Sequence, residues 1–274
     1  MYRLVVTDID GTLLNNEKKI TEATHKGIHE MIDRGVKFVV ATGRVFTAGK
    51  WPYVDLGIDG PLITCNGALI KDTGTGEIIY SRALDLDLAR KVSEICKAHD
   101  VYFHYYTEDG IHSERYDFIM KQYAELSKKL PESKQVPTEV LANYKDFLDR
   151  GETLYKIGIY CDDGEASDRL IQEIMALKGI ACYKSLANSF DVMAEGVSKA
   201  DAIAQLNKYY DIPREETIAS GDNENDIDMI RYAGLGVAMG NAIESAKAAA
   251  DYVTGTNEED GLLQVIQKFI FDAE

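Results

Sequence analysis

The sequence has few cysteines, little positive charge and no long apolar run. No stretch approaches the roughly 20 apolar residues of a membrane-spanning helix, and the amino-terminal residues do not follow the plan of a signal peptide. The four cysteines form no Cys-x-x-Cys pair, so a zinc or redox site of that kind is not expected. These absences predict a cytoplasmic protein with reduced, buried cysteines and no membrane partner.

The charge balance and the absence of two motifs argue against three classes of function. Among 274 residues, 46 aspartates and glutamates outnumber 30 lysines and arginines, and the net charge is −16. Nucleic-acid binding is not expected, because phosphate backbones require clustered basic side chains. No Gly-x-Gly-x-x-Gly follows the first predicted strand, and no Gly-x-x-x-x-Gly-Lys-Ser/Thr occurs. A Rossmann dehydrogenase and a P-loop kinase are therefore both disfavoured.

The pattern of apolar runs predicts two kinds of structure. Near both ends of the chain, short apolar runs alternate with helical patterns, which indicates βαβ units around a parallel sheet. Between residues 84 and 189 the tyrosines become more frequent and the runs are mixed. We therefore predict an α/β fold with a Rossmann-like parallel core at residues 1–83 and 190–274. Residues 84–189 are predicted to form an inserted α+β domain with an antiparallel sheet.

Polar clusters follow three of the predicted parallel strands. They are Asp8–Thr12, Thr42–Arg44 and Gly221–Asp226. Because ligands of open parallel sheets bind outside the carboxyl ends of the strands, we expect the clusters at one edge of the sheet. Lys199 precedes a predicted helix and could pair with a phosphate, although a lysine at such a position is more often solvated.

The carboxylates in these clusters suit a hard cation. Asp8 and Asp10 repel each other unless a cation or proton lies between them, and oxygen ligands of this type suit Mg²⁺. A turn capped by an aspartate explains these two residues equally well. At a helix start, the spacing of Asp222, Asn225 and Asp226 would place them on one face. Helix capping is the alternative. It explains one acid well, but it explains Asp222 and Asp226 together poorly.

Taken in order, these segments resemble the four motifs of the haloacid dehalogenase-like (HAD) superfamily, most closely its Cof-type phosphatases. Asn66–Ala68, Ala238–Ala242 and Glu259–Gly261 also resemble that subfamily. The resemblance implies an HAD-like core and a class IIB cap formed by the inserted domain. It further implies a Mg²⁺-dependent phosphatase that hydrolyses small phosphorylated metabolites through an aspartyl-phosphate.

The resemblance also implies roles for individual residues. Asp8 would be the nucleophile, and Asp10 the general acid and then the general base. The other implied residues fall into three groups. Mg²⁺ would be held by Asp8, Asp10, Asp222 and Asp226; phosphoryl oxygens would be held by Ile9, Thr42, Gly43, Lys199 and Asn225, with Thr42 and Lys199 also catalytic; weaker substrate candidates are Arg44, Asn66 and Asn241.

Several alternatives stay open at this point. Sugar phosphates are the first expectation for the substrate, because the inserted domain is polar and rich in tyrosine; nucleotide-like or pyridoxal phosphates come next. A phosphomutase would use the same core. A protein that binds a phosphometabolite without turnover is the third possibility, but a pure binder would not need both Asp8 and Asp10. Both a monomer and a homodimer are compatible with the sequence.

Overall fold

The computed structural model of the protein describes residues 1–161, 164–186 and 188–272. The strands are β1 (Leu4–Thr7), β2 (Lys37–Ala41), β3 (Pro61–Thr64), β4 (Leu69–Asp72), β5 (Ile78–Ser81), β6 (Tyr102–Tyr106), β7 (Ile111–Ser113), β8 (Thr138–Val140), β9 (Lys156–Tyr160), β10 (Ile180–Leu186), β11 (Ser189–Ala194), β12 (Thr217–Gly221), β13 (Leu235–Ala238) and β14 (Tyr252–Val253). The helices are α1 (Glu22–Asp33), α2 (Phe46–Gly49), α3 (Trp51–Leu56), α4 (Leu86–Ala98), α5 (Phe118–Ser127), α6 (Tyr144–Asp149), α7 (Gly164–Met175), α8 (Lys199–Tyr210), α9 (Ile227–Tyr232), α10 (Glu244–Ala249) and α11 (Gly261–Ile266). Within the described ranges, no helix is long and apolar enough to cross a membrane.

The chain divides into two compact units. The first comprises Met1–Gly43, Pro52–Tyr80 and Ser198–Glu274, and the second comprises Arg44–Trp51 and Ser81–Val197. Both units are therefore assembled from segments that are distant in the sequence. All four cysteines carry free thiols, and three of them are buried, in line with the sequence prediction.

The first unit is built on a mostly parallel sheet with the strand order β14-β13-β12-β1-β2-β3-β4-β5. Strand β1 pairs in parallel with both β12 and β2, β3 is parallel to β2, and β4 runs antiparallel to β3. This arrangement confirms the predicted α/β core. Because β12, β1 and β2 are parallel neighbours, the residues that follow them meet at one edge of the sheet.

Burial explains why these short apolar segments form central strands. All four residues of β1 are buried, as expected when helices cover both faces of a parallel sheet. Leu4 and Val6 belong to a cluster with Ile203 of α8 and Met229 of α9. Helix α1 packs against α11. The central strands thus provide a rigid base for the residues at their carboxyl ends.

The second unit contains a six-stranded sheet with the order β10-β11-β9-β6-β7-β8. Strands β6, β9, β10 and β11 pair in antiparallel fashion, whereas β7 and β8 are parallel. Buried residues of α4, α6 and α7, such as Val92, Phe147 and Leu170, pack with Tyr105 and Ile157 of the sheet. The inserted unit is therefore of the predicted α+β type, apart from the parallel pair at its edge.

The end of the second unit differs from the sequence prediction. The prediction returns to the first unit at residue 190, but β11 pairs with both β9 and β10 and belongs to the second sheet. Asp191 interrupts the apolar pattern of β11, which hides the strand in the sequence. It is nevertheless buried, because its Oδ2 atom lies 3.0 Å from the Nζ atom of Lys156 in an ion pair.

Candidate active site

The carboxyl ends of β1, β2 and β12 bring together most of the residues singled out in the sequence. Asp8 follows β1, Thr42 follows β2, and Asp222 follows β12. Lys199 is the first residue of α8. The preceding residue, Ser198, caps the helix, because its side chain accepts a hydrogen bond from the backbone N–H of Asp201. These residues all belong to the first unit.

Lys199 links two of the carboxylates. Its Nζ atom lies 2.6 Å from Oδ1 of Asp8 and 2.6 Å from Oδ1 of Asp226. The lysine is only 1% exposed, so it is not the solvated residue that the alternative interpretation describes. Burial alone would lower the pKa of Lys199, but Asp226 and Asp8 outweigh it and the pKa is raised. Lys199 is therefore a fixed positive charge beside Asp8.

Three carboxylates share a small volume at this edge. Oxygen atoms of Asp8, Asp222 and Asp226 all lie within 4.8 Å of one another. Burial raises the pKa of Asp8 to about 7, a rise that Lys199 opposes and the two other acids increase. Burial, followed by Asp226, raises the pKa of Asp222 to about 6. A divalent cation with oxygen ligands would relieve this repulsion, so the donor set fits Mg²⁺.

Asp226 has a different setting from the one predicted. Its Oδ2 atom accepts hydrogen bonds from the backbone N–H groups of Asp222 at 2.9 Å and Asn223 at 3.0 Å. These bonds draw the segment into a tight turn, Glu224–Asp226 forms a 3₁₀ turn, and α9 begins only at Ile227. The expectation that Asp222, Asn225 and Asp226 share one helix face is therefore wrong. Asp226 binds Lys199 through one oxygen atom and the backbone of the loop through the other. It takes part in a capping box with Asn223, as the capping alternative describes.

The loop after β1 lies directly against Asp222. The Oγ1 atom of Thr12 donates a hydrogen bond of 2.8 Å to Oδ1 of Asp222. Gly11 has a φ of +84°, and a Cβ atom there would lie 2.5 Å from Oδ2 of Asp222. Only glycine permits this approach with that backbone conformation. Thr12 lies in the first motif, but its bond to Asp222 spans the two ends of the chain and no local pattern indicates it.

Asp10 lies at the exposed side of the same loop. Its Oδ1 atom is 3.0 Å from the Nζ atom of Lys18, and the side chains of Lys18 and Asp10 are 64% and 44% exposed. A pair of this kind contributes little to stability. Asp10 therefore keeps a carboxylate accessible to solvent, as a proton-transfer group requires. No pattern in the sequence singles out Lys18, since a lysine in a charged loop carries no specific signal.

Thr42, Gly43 and Asn225 are connected through Asn66. The backbone N–H of Asn66 donates to the carbonyl of Thr42 at 3.0 Å, and its Oδ1 atom accepts from Nδ2 of Asn225 at 3.1 Å. A Cβ atom on Gly43 would lie 2.7 Å from Oδ1 of Asn66. Asn66 is 3% exposed and has a φ of +56°. These contacts favour Asn66 as a residue that organises the predicted phosphate-binding residues.

The remaining candidates have separate positions. Ile9 is fully buried, and its carbonyl accepts a hydrogen bond from the N–H of Leu14 at 2.9 Å. Asn241 donates from Nδ2 to the carbonyl of Gly11 at 2.8 Å. Arg44 belongs to the second unit, where its guanidinium lies 5.4 Å from the ring centroid of Trp51. Arg44 is thus assigned to a different unit from Asn66 and Asn241.

Comparison with known proteins agrees with this arrangement. The sequence profile of the haloacid dehalogenase-like hydrolases matches residues 5–266. The 5-amino-6-(5-phospho-D-ribitylamino)uracil phosphatase YitU of Bacillus subtilis is 30% identical over 280 residues, which cover 97% of each chain. The pyridoxal phosphate phosphatase YbhA of Escherichia coli is 26% identical, over 96% of this chain and 97% of that protein.

A solved structure shares the architecture of the whole chain. The HAD subclass IIB sugar phosphatase BT4131 superposes with a TM-score of 0.79 at 27% identity, covering 97% of this chain and 98% of its own. Profile, relatives and structure agree over nearly all of the sequence. The chain therefore belongs to the haloacid dehalogenase-like hydrolase family, as a Cof-type phosphatase that hydrolyses phosphoric monoesters and carries a class IIB cap.

Proposed function

We propose that the protein is a Mg²⁺-dependent phosphatase that removes the phosphate from small metabolites, sugar phosphates first, by forming a phosphorylated Asp8. The observation that carries the proposal is the meeting of the carboxylates of Asp8, Asp222 and Asp226 beside the buried Lys199. The named activities of YitU, YbhA and BT4131, all of them phosphatases, support the substrate class.

Asp8, Asp222 and the backbone carbonyl of Asp10 would hold the Mg²⁺ ion, with Asp226 in support. Asp226 already accepts three hydrogen bonds through its two oxygen atoms, so its contribution would be to fix Asp222. When bound, Mg²⁺ would offset the repulsion between Asp8 and the phosphate and would neutralise charge on the phosphoryl oxygens.

The chain's own groups account for the two steps of the reaction. An Oδ atom of Asp8 attacks phosphorus, and the bond from phosphorus to the alcohol oxygen breaks as Asp10 gives that oxygen a proton. Lys199 favours the ionised, nucleophilic form of Asp8. Water then attacks the phosphorylated Asp8 while Asp10 takes its proton, which releases phosphate and restores both acids.

Thr42, Gly43, Lys199 and Asn225 would bind the phosphoryl oxygens in both steps. They supply a hydroxyl, a backbone N–H, an ammonium and a carboxamide, and donors fixed in advance stabilise developing charge without reorganising. The backbone and side chain of Asn66 tie Thr42 to Asn225. An assay with p-nitrophenyl phosphate, followed by a panel of sugar, nucleotide and pyridoxal phosphates, tests the activity and the substrate class.

Activity should depend on Mg²⁺. We expect loss of turnover in excess EDTA and recovery when Mg²⁺ is added, with lower activity in Ca²⁺, which takes more ligands in a looser geometry. Initial rates with p-nitrophenyl phosphate at fixed ionic strength measure this. EDTA that is already saturated with Mg²⁺ is the control, and full activity in excess free EDTA would contradict the proposal.

Asp10→Asn should lower kcat by about 10²–10⁴-fold with a sugar phosphate, because the proton needed by the leaving oxygen is no longer supplied. The fold should persist, since Asp10 and its partner Lys18 both lie at the surface and such a pair contributes little to stability. Asp33→Asn makes the same charge change at the exposed end of α1 and serves as the control. Activity of Asp10→Asn equal to that of this control would exclude the assigned role.

We also propose that the second unit selects the leaving group. Its sequence is polar and rich in tyrosine, which favours a hydroxylated leaving group. Exchange of residues 81–197 for the corresponding unit of a relative with other substrates should change the ranking of a phosphate panel. Sensitivity to Asp8→Asn should be retained. A folded exchange protein with the original ranking would show that selection lies elsewhere.

A further inference from the structure

A segment near the carboxyl end of the chain is tied to the region that follows β1. The Nδ2 atom of Asn257 donates a hydrogen bond of 2.9 Å to the carbonyl of Leu14. The N–H of Asn16 donates to Oε1 of Glu258 at 2.5 Å. Thr21 and Thr24 of the α1 start both donate from Oγ1 to Oδ1 of Asp260. The segment Thr256–Gly261 thus contacts both the loop after β1 and the start of α1.

Asn241 extends the connection to the centre of the loop. Its Oδ1 atom accepts from the backbone N–H of Asn257 at 2.9 Å, and its Nδ2 atom donates to the carbonyl of Gly11 at 2.8 Å. Asn241 and Asn257 therefore form a short bridge between two backbone carbonyls, those of Gly11 and Leu14. Each amide nitrogen supplies a donor that a carboxylate of the same shape would lack.

The bridged segment, Asp8–Leu14, is called the β1 loop below. It carries Asp8 and Asp10, which are assigned to metal binding. The N–H groups of Leu13 and Leu14 donate to the carbonyls of Asp8 and Ile9 at 3.3 and 2.9 Å, respectively. A shift of the Leu14 end is therefore transmitted to the backbone that carries Asp8. On the opposite side the loop touches Asp222. The bridge and Asp222 thus contact the same loop.

We propose that Asn241 and Asn257 are positioning residues that hold the β1 loop at the separation from Asp222 that Mg²⁺ binding requires. The inference rests on the Mg²⁺ site of the proposed function. Asn241 would act through its hydrogen bond to the carbonyl of Gly11, and Asn257 through its hydrogen bond to the carbonyl of Leu14. Groups that orient metal ligands typically change metal affinity or activity by about 10–100-fold when they are replaced.

A purely structural tether would behave differently. If the segment only anchors the end of the chain, its loss should lower the melting temperature and leave the Mg²⁺ response unchanged. If the bridge positions the ligands, the Mg²⁺ response itself should change. A bound ion raises the free energy of unfolding by RT ln(1 + [Mg²⁺]/Kd). The Mg²⁺ concentration at which this rise equals RT ln 2 is the Kd, and we call it the Mg²⁺ midpoint; it measures affinity without turnover.

The experiment uses the full chain with Asn257→Asp and Asn241→Asp. Each change keeps the side-chain shape and places an oxygen opposite a carbonyl, which repels it. We expect the Mg²⁺ midpoint to rise by about 10-fold or more in each variant. At subsaturating Mg²⁺, kcat for p-nitrophenyl phosphate should fall, while KM should be unchanged because the phosphate-binding residues are not altered.

Thr256→Val is the matched control. It removes the hydrogen bond from Oγ1 of Thr256 to Oε2 of Glu259, which lies within the same segment and does not reach the β1 loop. The control should keep the wild-type Mg²⁺ midpoint whatever its melting temperature.

Three results would count against the inference, and they separate it from the proposed function. Wild-type midpoints in both variants, with normal Mg²⁺ stabilisation of the wild type, would overturn the positioning role alone. A midpoint that rises equally in the control would mean that any change in the segment Thr256–Gly261 weakens Mg²⁺ binding, so the bridge would have no role of its own. A wild type without Mg²⁺ stabilisation and with metal-independent activity would overturn both proposals. If Asn257→Asp does not fold, Asn241→Asp decides, since its side chain is exposed.

Discussion

Asp8→Asn should reduce the turnover of every phosphorylated substrate by at least about 10⁴-fold, because an amide cannot replace the carboxylate that attacks phosphorus. The protein should stay folded. The substitution keeps the side-chain volume, and the remaining oxygen can still accept a hydrogen bond from Lys199. It also removes one of three crowded acids. The melting temperature should therefore stay the same or rise.

Rates with p-nitrophenyl phosphate and a thermal melt measure both parts of this prediction. The variant should be assayed at saturating Mg²⁺, so that a change in metal affinity does not mimic the loss of the nucleophile. Asp33→Asn again provides the same charge change at an exposed position. Near-wild-type activity of Asp8→Asn would exclude the covalent mechanism, whereas an unfolded variant would contradict the structural argument.

Lys199→Met should cause the largest combined loss of activity and stability. The lysine is almost fully buried between Asp8 and Asp226. Removal of one partner from a buried ion pair typically costs about 3–5 kcal/mol, because the charge left behind has no compensation. The variant also loses the charge that keeps Asp8 ionised and that would bind the phosphoryl group. Urea unfolding measures the first effect and turnover of p-nitrophenyl phosphate the second.

The double variant Asp8→Asn/Lys199→Met tests the cause of the instability. If uncompensated carboxylates are responsible, neutralising Asp8 should recover part of the lost free energy of unfolding, and the two effects should not be additive. Strict additivity would mean that Asp8 and Lys199 do not interact as the structure indicates. A Lys199→Met protein as stable as the wild type would contradict the account of the buried charge.

Elements with a complete local signal were predictable from the sequence. Helix α4 spans Leu86–Ala98, and its local sequence indicates a helix, because Asp85 caps its first turn and the apolar residues recur on one face. The short apolar run Leu235–Ala238 likewise forms strand β13. The polar clusters at the strand ends follow from the parallel sheet, since any residue directly after β1, β2 or β12 must lie at the same edge.

Contacts between distant residues could not be predicted in the same way. The bond from Asn225 to Asn66 joins residues 159 positions apart, and neither local sequence indicates its partner. Strand β11 was missed because Asp191 interrupts its apolar pattern, although Lys156 compensates the charge in the folded protein. The spacing from Asp222 to Asp226 fits one face of a helix, but Asp226 lies in a 3₁₀ turn. The backbone bonds that form the tight turn depend on its burial beneath the loop.

In the proposed mechanism, Asp8 carries the phosphoryl group between the two steps. Asp10→Asn mixed with p-nitrophenyl phosphate and quenched with acid tests it most directly, because p-nitrophenolate leaves without help from an acid while hydrolysis still lacks its base. We expect one phosphoryl group per chain, found by mass spectrometry on Asp8 and absent from Asp8→Asn. Phosphate release without any covalent label, or a label on another residue, would contradict it.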